Sequence, residues 1–207
     1  MLTTGDIARQ FDRTATAYVE SVSHAKGKDL EIVRQFADPH ADMTVLDVAT
    51  GGGHTALLIA EHVSSVIAVD IAPKMLEKAA EHASAQGCTN IVFQQMNAEM
   101  LEFPDATFDL VTCRIAPHHF LDMHAAVNEF SRVLKGGGAL VIEDSCAPSA
   151  AQLDLFINTI ERIRDRTHVR SYTWPEWNAA QVRFPFQNRP SGCLLCTWQA
   201  AGLNLPC

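Results

Sequence analysis

The sequence predicts an α/β fold, a doubly wound and mostly parallel sheet with helices on both faces, and three observations carry that expectation. Residues Thr44 to Asp70 read in succession as a strand, a glycine turn, a helix and a second strand. Five short apolar runs, of the kind buried on both sides of a parallel sheet, alternate with segments whose apolar residues recur at helical spacing. A chain of 207 residues with 47% hydrophobic and 19% charged content has enough apolar surface for one domain with a substantial core.

Two helices are expected ahead of the first strand, within residues 4–37. Asp6 is a candidate cap for a short helix containing Ile7, Ala8 and Phe11, and Leu30, Ile32, Val33 and Phe36 form the apolar face of a second helix starting near His24 or Ala25. The stretch from Ala17 to Gly27 reads as a loop. Its Tyr18 and His24 fit either a lid that touches substrate or an anchor for the two helices. Pro39 then breaks the chain before the opening unit.

Thr44 to Val48 is the first strand, followed by Gly51-Gly52-Gly53 and a helix carrying Leu57, Leu58 and Ile59. Without a Cβ, that turn can take positive φ and approach a ligand closely, with the free N–H groups of the next helix aimed at it. Val66 to Val69 is the second strand, closed by Asp70. A carboxylate there sits at the carboxyl edge of the sheet and can accept two hydrogen bonds from a ribose diol, so an adenosine-containing cofactor is expected.

Pro73 opens the next helix, which runs to Ala85 and stops at Gly87. Ile91 to Gln95 is the third strand and turns into Met96-Asn97-Ala98-Glu99, where an amide can pair with an adenine amino group and a backbone N–H with a ring nitrogen. Phe108 to Arg114 is the fourth strand. The loop after it carries His118 and His119, which titrate near neutral pH and are candidate proton acceptors or substrate contacts, or else helix-end packing. Asp122 caps a helix with Val127, Phe130 and Leu134 on one face, and Ala139 to Glu143 is the fifth strand.

Gly51-x-Gly53-x-x-Ala56 also fits the dinucleotide pattern. The residue directly off the strand, however, is Ala49, and the strand carries Asp47 two positions earlier. The frame Asp47-x-Ala49-x-Gly51-x-Gly53 resembles the first motif of class I S-adenosylmethionine-dependent methyltransferases. Three further stretches agree in order and spacing: IAVDIAPKML, the Asn97-Ala98-Glu99 corner followed by Phe103-Pro104-Asp105-x-x-Phe108-Asp109, and Arg132-Val133-Leu134-Lys135 running into Gly136-Gly137-Gly138. Together they resemble the ubiquinone/menaquinone-biosynthesis branch of that family, the methyltransferase type 11 domain.

The resemblance implies a Rossmann-like sheet and S-adenosyl-L-methionine as cofactor. Asp47, Ala49, Gly51 and Gly53 would line its methionine and ribose side, and Asp70 would bind the ribose hydroxyls. Ile71 and Met75 would flank the adenine, Asn97 and Ala98 would read its edge, and Arg114 with Ile115 would lie near the methionine portion. It implies a small, apolar or aromatic methyl acceptor, quinone-type rings included, methylated at carbon or oxygen. The alternative is a protein that binds the cofactor with little or no turnover. Residues 1–180 would form the methyltransferase domain, with 1–40 as a helical lid. Residues 181–207 depart from the pattern, so the final hairpin of the usual seven-stranded sheet is expected to be missing or altered, leaving an open edge and the possibility of a homodimer.

Net charge is −8 and the sequence pI about 5.5, which disfavours a nucleic-acid partner. No stretch approaches the roughly 18 apolar residues of a membrane span, and the first residues lack an apolar targeting core, so a cytoplasmic location is expected. Cys88, Cys113 and Cys146 lie in or beside apolar runs and are expected as free buried thiols. Cys193 and Cys196 form a lone C-x-x-C without a second pair, so no metal site is expected.

Overall fold

A computed structural model of the chain describes residues 2–21, 25, 27–181 and 193–197, with the backbone alone at 180, 181 and 193–197. Among the described residues the sheet has six strands, all parallel, in the order β3-β2-β1-β4-β5-β6. They are β1 (Thr44–Val48), β2 (Ser65–Asp70), β3 (Ile91–Gln95), β4 (Phe108–Arg114), β5 (Leu134–Ser145) and β6 (Cys193–Thr197). The order reverses at β1, whose neighbours are β2 and β4. At such a switch point the crossovers leave to opposite faces, and a crevice opens over the carboxyl ends of the strands.

The strands are buried on both sides because successive residues feed two cores. Leu46, Val48, Phe108, Val111 and Cys113 pack on one face with Met123, Phe130, Val133 and Trp177. Val45, Val66, Ala68, Leu110 and Val141 pack on the other with Val33, Ala37, Ala56 and Ile59. The period of two between Val45, Leu46 and Val48 is the pleat itself.

The helices are α1 (Thr4–Val19), α2 (Lys28–Ala37), α3 (His54–Ala60), α4 (Pro73–Ala85), α5 (Met123–Val133), α6 (Ala151–Arg164) and α7 (Trp174–Gln181). Helix α1 differs from expectation at both ends. Its cap is Thr3, whose hydroxyl accepts the Asp6 N–H at 3.2 Å while the Asp6 carboxylate accepts the Thr3 N–H at 2.9 Å. That reciprocal box starts the helix earlier than an Asp6 cap would. At the other end the helix absorbs Ala17, Tyr18 and Val19, so Tyr18 belongs to its last turn. Ala15 of α1 packs on Ala72 and Met75 with Phe11 and Tyr18 alongside. Asp12 accepts the Lys74 N–H at 2.9 Å, an acid placed on the free donors that open α4.

Three other expectations change. Leu134 begins β5 rather than ending α5. Cys193–Thr197 lies parallel beside β5, so the tail contributes a strand where none was expected; a run as short as Cys-Leu-Leu-Cys-Thr shows no alternation because a parallel strand needs none. Cys88 and Cys113 are free thiols, but Cys146 is disulfide-bonded, since apolar surroundings show that a sulfur is buried and not which other sulfur reaches it.

Candidate active site

The carboxyl ends of β1, β2, β3 and β4, roofed by α1, enclose a cavity of about 960 Å³ including its mouth. Asp47 stands at its floor and is 2% exposed. Its carboxylate accepts the Thr50 hydroxyl at 2.6 Å and the Thr112 hydroxyl at 2.7 Å. Burial pushes its pKa up to about 6 although both hydroxyls pull the other way. Thr112 is the β4 residue paired with Asp47 in the register, so its part depends on strand pairing and could not be seen in the β1 motif alone.

Asp70 closes β2 beneath the glycine turn. One carboxylate oxygen accepts the Gly51 N–H at 2.9 Å, and the other accepts the Ala72 N–H at 2.9 Å. Burial raises its pKa against these backbone donors. A carboxylate held by backbone donors in this way keeps acceptor capacity for the hydroxyls of a vicinal diol.

The backbone around the floor is bent for approach. Gly51 takes φ of +54°, and a Cβ built there meets no atom within 4 Å, so the space above it is open. Ala49 at the end of β1 and Ile115 at the end of β4 also lie in the left-handed region, at φ of 53° and 51°. Each costs on the order of 1 kcal/mol for a residue with a Cβ. Both line the cavity.

The remaining expected positions divide clearly. Asp47, Ala49, Gly51, Asp70, Ile71, Met75, Asn97, Ala98, Arg114 and Ile115 are brought together around the cavity, as are Tyr18 and His119. Gly53 is not among the lining residues. It opens α3 at φ of +79°, and its Cβ position lies 3.3 Å from the Ala79 Cβ, so this glycine serves the packing of α3 on α4. His118 does not line the cavity either; an acid holds it. Its Nδ1 and backbone N–H both engage the Asp144 carboxylate, at 2.6 and 2.8 Å. His24 lies outside the described residues.

The Arg114 side chain is 6% exposed and donates from Nε to Asp29 of α2 at 2.7 Å. This ion pair ties the helices before the sheet to the end of β4. Sequence reasoning did not single out Asp29, since the 85 residues between the two leave no local pattern. Thr4, Ile7 and Phe11 of α1 also line the cavity, with Thr50, Gly52, His54, Met96, Glu99 and Phe120. Ile7 and Phe11 were expected only as members of a short helix; the cavity is what their face covers.

These groups fit an adenosine-bearing cofactor, with a buried diol acceptor, an open glycine turn and an amide corner on one rim. Residues 39–180 match the family described as "Methyltransferase domain". The chain is 42% identical over 169 residues to the uncharacterized methyltransferase YcgJ of Bacillus subtilis, covering 82% of this chain and 67% of the relative. It is 38% identical over 121 residues to a demethylmenaquinone methyltransferase of Thermus thermophilus, covering 56% of this chain and 54% of the relative. The crystal structure of YcgJ aligns with a TM-score of 0.73 over 74% of this chain and 65% of that one. A putative methyltransferase from Bacillus halodurans aligns with a TM-score of 0.74 at 38% identity, over 75% of this chain and 68% of that one. The chain thus spans roughly half to two thirds of the length of the curated relatives it matches. With the β1 motif, the switch-point cavity and these relatives in agreement, the chain belongs to the S-adenosylmethionine-dependent methyltransferases, and S-adenosylmethionine is its cofactor.

Proposed function

We propose that this chain transfers a methyl group from S-adenosylmethionine to a small apolar or aromatic acceptor, at carbon or oxygen, with quinone-type rings included. The observation that carries the reading is the make-up of one cavity: a polar floor of Asp47, Asp70 and Asn97 at the strand ends, under an apolar roof of Ile7, Phe11 and Tyr18 from α1, with Phe120 beside it. Relatives named demethylmenaquinone methyltransferase and ubiquinone/menaquinone biosynthesis C-methyltransferase favour a ring acceptor.

The bound cofactor supplies an electrophilic methyl carbon on a sulfonium. The chain's own part is to bind, orient and exclude water. Asp70 accepts the ribose hydroxyls, Asp47 faces the amino-acid end with Arg114 and Ile115 near it, Ile71 and Met75 hold the adenine, and Asn97 with the Ala98 N–H reads its edge. Helix α1 closes over the acceptor through Phe11 and Tyr18. Of the two loop histidines, His119, which lines the cavity, is the one assigned to the acceptor.

In this reading residues 1–180 are the working domain, residues 1–40 its lid and 181–207 a divergent tail, in a cytoplasmic protein acting on a small molecule rather than nucleic acid. Among the described residues no helix is long and apolar enough to cross a membrane. A homodimer is open to test by sedimentation. The test of the function is turnover: the purified chain is incubated with S-adenosylmethionine and a panel of phenols, hydroquinones and apolar carbon nucleophiles, and S-adenosylhomocysteine is quantified. Acceptor-dependent product formation supports the reading. Cofactor binding without product across the panel contradicts it and leaves a protein that binds the cofactor without turning it over.

A further inference from the structure

His118, His119 and His168 gather behind the cavity, and hydrogen bonds fix what each ring can do. The Thr167 hydroxyl gives its hydrogen to Asp165 at 2.6 Å. The Thr167 carbonyl, which can only accept, lies 3.0 Å from Nδ1 of His119. Nδ1 of His119 therefore carries the hydrogen, and in the neutral ring Nε2 is left as a bare lone pair. Nε2 has no partner among the described residues, nor is it among the sealed polar atoms without one. The ring lines the cavity.

The neighbours keep His119 in this form. His118 packs against it with ring centroids 4.1 Å apart. Burial opposes charge on His118, but Asp144 at 2.6 Å outweighs it and raises its pKa. Burial of His119, followed by the His118 charge, brings His119 down to about 4, against the opposing pull of Asp165 and Asp144. The neighbouring wall is aromatic: Phe11 meets the His119 ring edge-on with centroids 4.9 Å apart, and Tyr18 in turn meets Phe11 edge-on at 5.6 Å.

We propose that His119 selects the acceptor: its Nε2, an acceptor with no hydrogen to give, takes a hydrogen bond from a hydroxyl on an aromatic ring held against Phe11, so the cavity prefers phenols and hydroquinones to their ethers. His118, bound to Asp144, packs against the His119 ring. The proposal rests on the methyltransferase reading above and names the acceptor class within it.

The test begins with S-adenosylhomocysteine titrated into the folded protein, where absence of binding counts against the methyltransferase reading itself. With that ligand saturating, single- and double-ring phenols are compared with their methyl ethers by calorimetry. The expected result is at least one phenol bound about tenfold tighter than its ether, the worth of one good hydrogen bond. That preference disappears in His119→Phe and returns in part in His119→Gln, whose side-chain oxygen can accept. Equal binding of every phenol and its ether, or binding of neither, in protein that holds S-adenosylhomocysteine overturns the proposal. Long-range 1H–15N correlation on the wild-type histidines gives a second test independent of variant folding: His119 protonated at Nδ1 alone at pH 7 is expected, and a hydrogen on Nε2 overturns the proposal.

Discussion

Asp47 shows how a single buried group ties stability to the site. Its folded pKa of about 6 lies above the ordinary value of 3.8 because burial disfavours the charge. A carboxyl raised in this way favours folding when protonated: its contribution is full below the ordinary value and is lost as pH rises through about 6. Cofactor-free Asp47→Asn is therefore expected to gain on wild type by up to about 3 kcal/mol between pH 4 and pH 8. Urea unfolding of both proteins across that range checks it, and parallel curves would contradict it. The charged Asp47 that costs stability above pH 6 is the form that can face the cofactor's ammonium. Asn158 is the second instructive residue. It is 2% exposed, accepts the Ser171 N–H at 2.7 Å and donates to the Ser171 carbonyl and to Asp154. Asn158→Leu fills the volume but strands those partners, and a loss of about 2–4 kcal/mol in urea unfolding is expected.

At the scale of elements, α1 joins the start of the chain to its chemistry. Thr3→Ala removes the hydroxyl half of the capping box and leaves the backbone N–H of residue 3 on the Asp6 carboxylate, which costs a helix about 1 kcal/mol. Because α1 is the roof of the cavity and not part of the sheet, amide exchange of residues 4–12 is expected to quicken by about fivefold while β1 and β4 stay protected. Equal quickening of the strands would show instead that the roof and the sheet open as one unit. The strands and the helices between them were legible in the sequence because each carries its own period and its own punctuation, such as Pro73 opening α4, Asp122 before α5 and the glycines after β1. The extent of α1 was not. Its cap depends on Thr3 and Asp6 acting together, and polar residues in its second half hide a face that packs on α4. Much of the site was legible for a similar reason: residues at the ends of consecutive strands must share one edge. Asp144, Asp29 and Thr112 escaped because each acts through a partner 26 to 85 positions away, a relation set only by strand order.

For the molecule as a whole, the sheet order 3-2-1-4-5 with β6 beside β5 makes one crevice at the β1 switch point, and every functional statement above depends on what fills it. A dinucleotide and S-adenosylmethionine both carry a ribose diol, so Asp70 alone does not separate them; Asp47 behind the turn, with Thr50 and Thr112 fixed on it, is the group proposed above for the amino-acid end. The most direct measurement is calorimetric titration of wild-type protein and Asp70→Ala with S-adenosylhomocysteine, with NAD as the control. Micromolar binding of S-adenosylhomocysteine to wild type, weakened about a hundredfold or more in Asp70→Ala, with no heat from NAD, is the predicted result. Unchanged affinity in Asp70→Ala, or binding of NAD in place of S-adenosylhomocysteine, would contradict the assigned site.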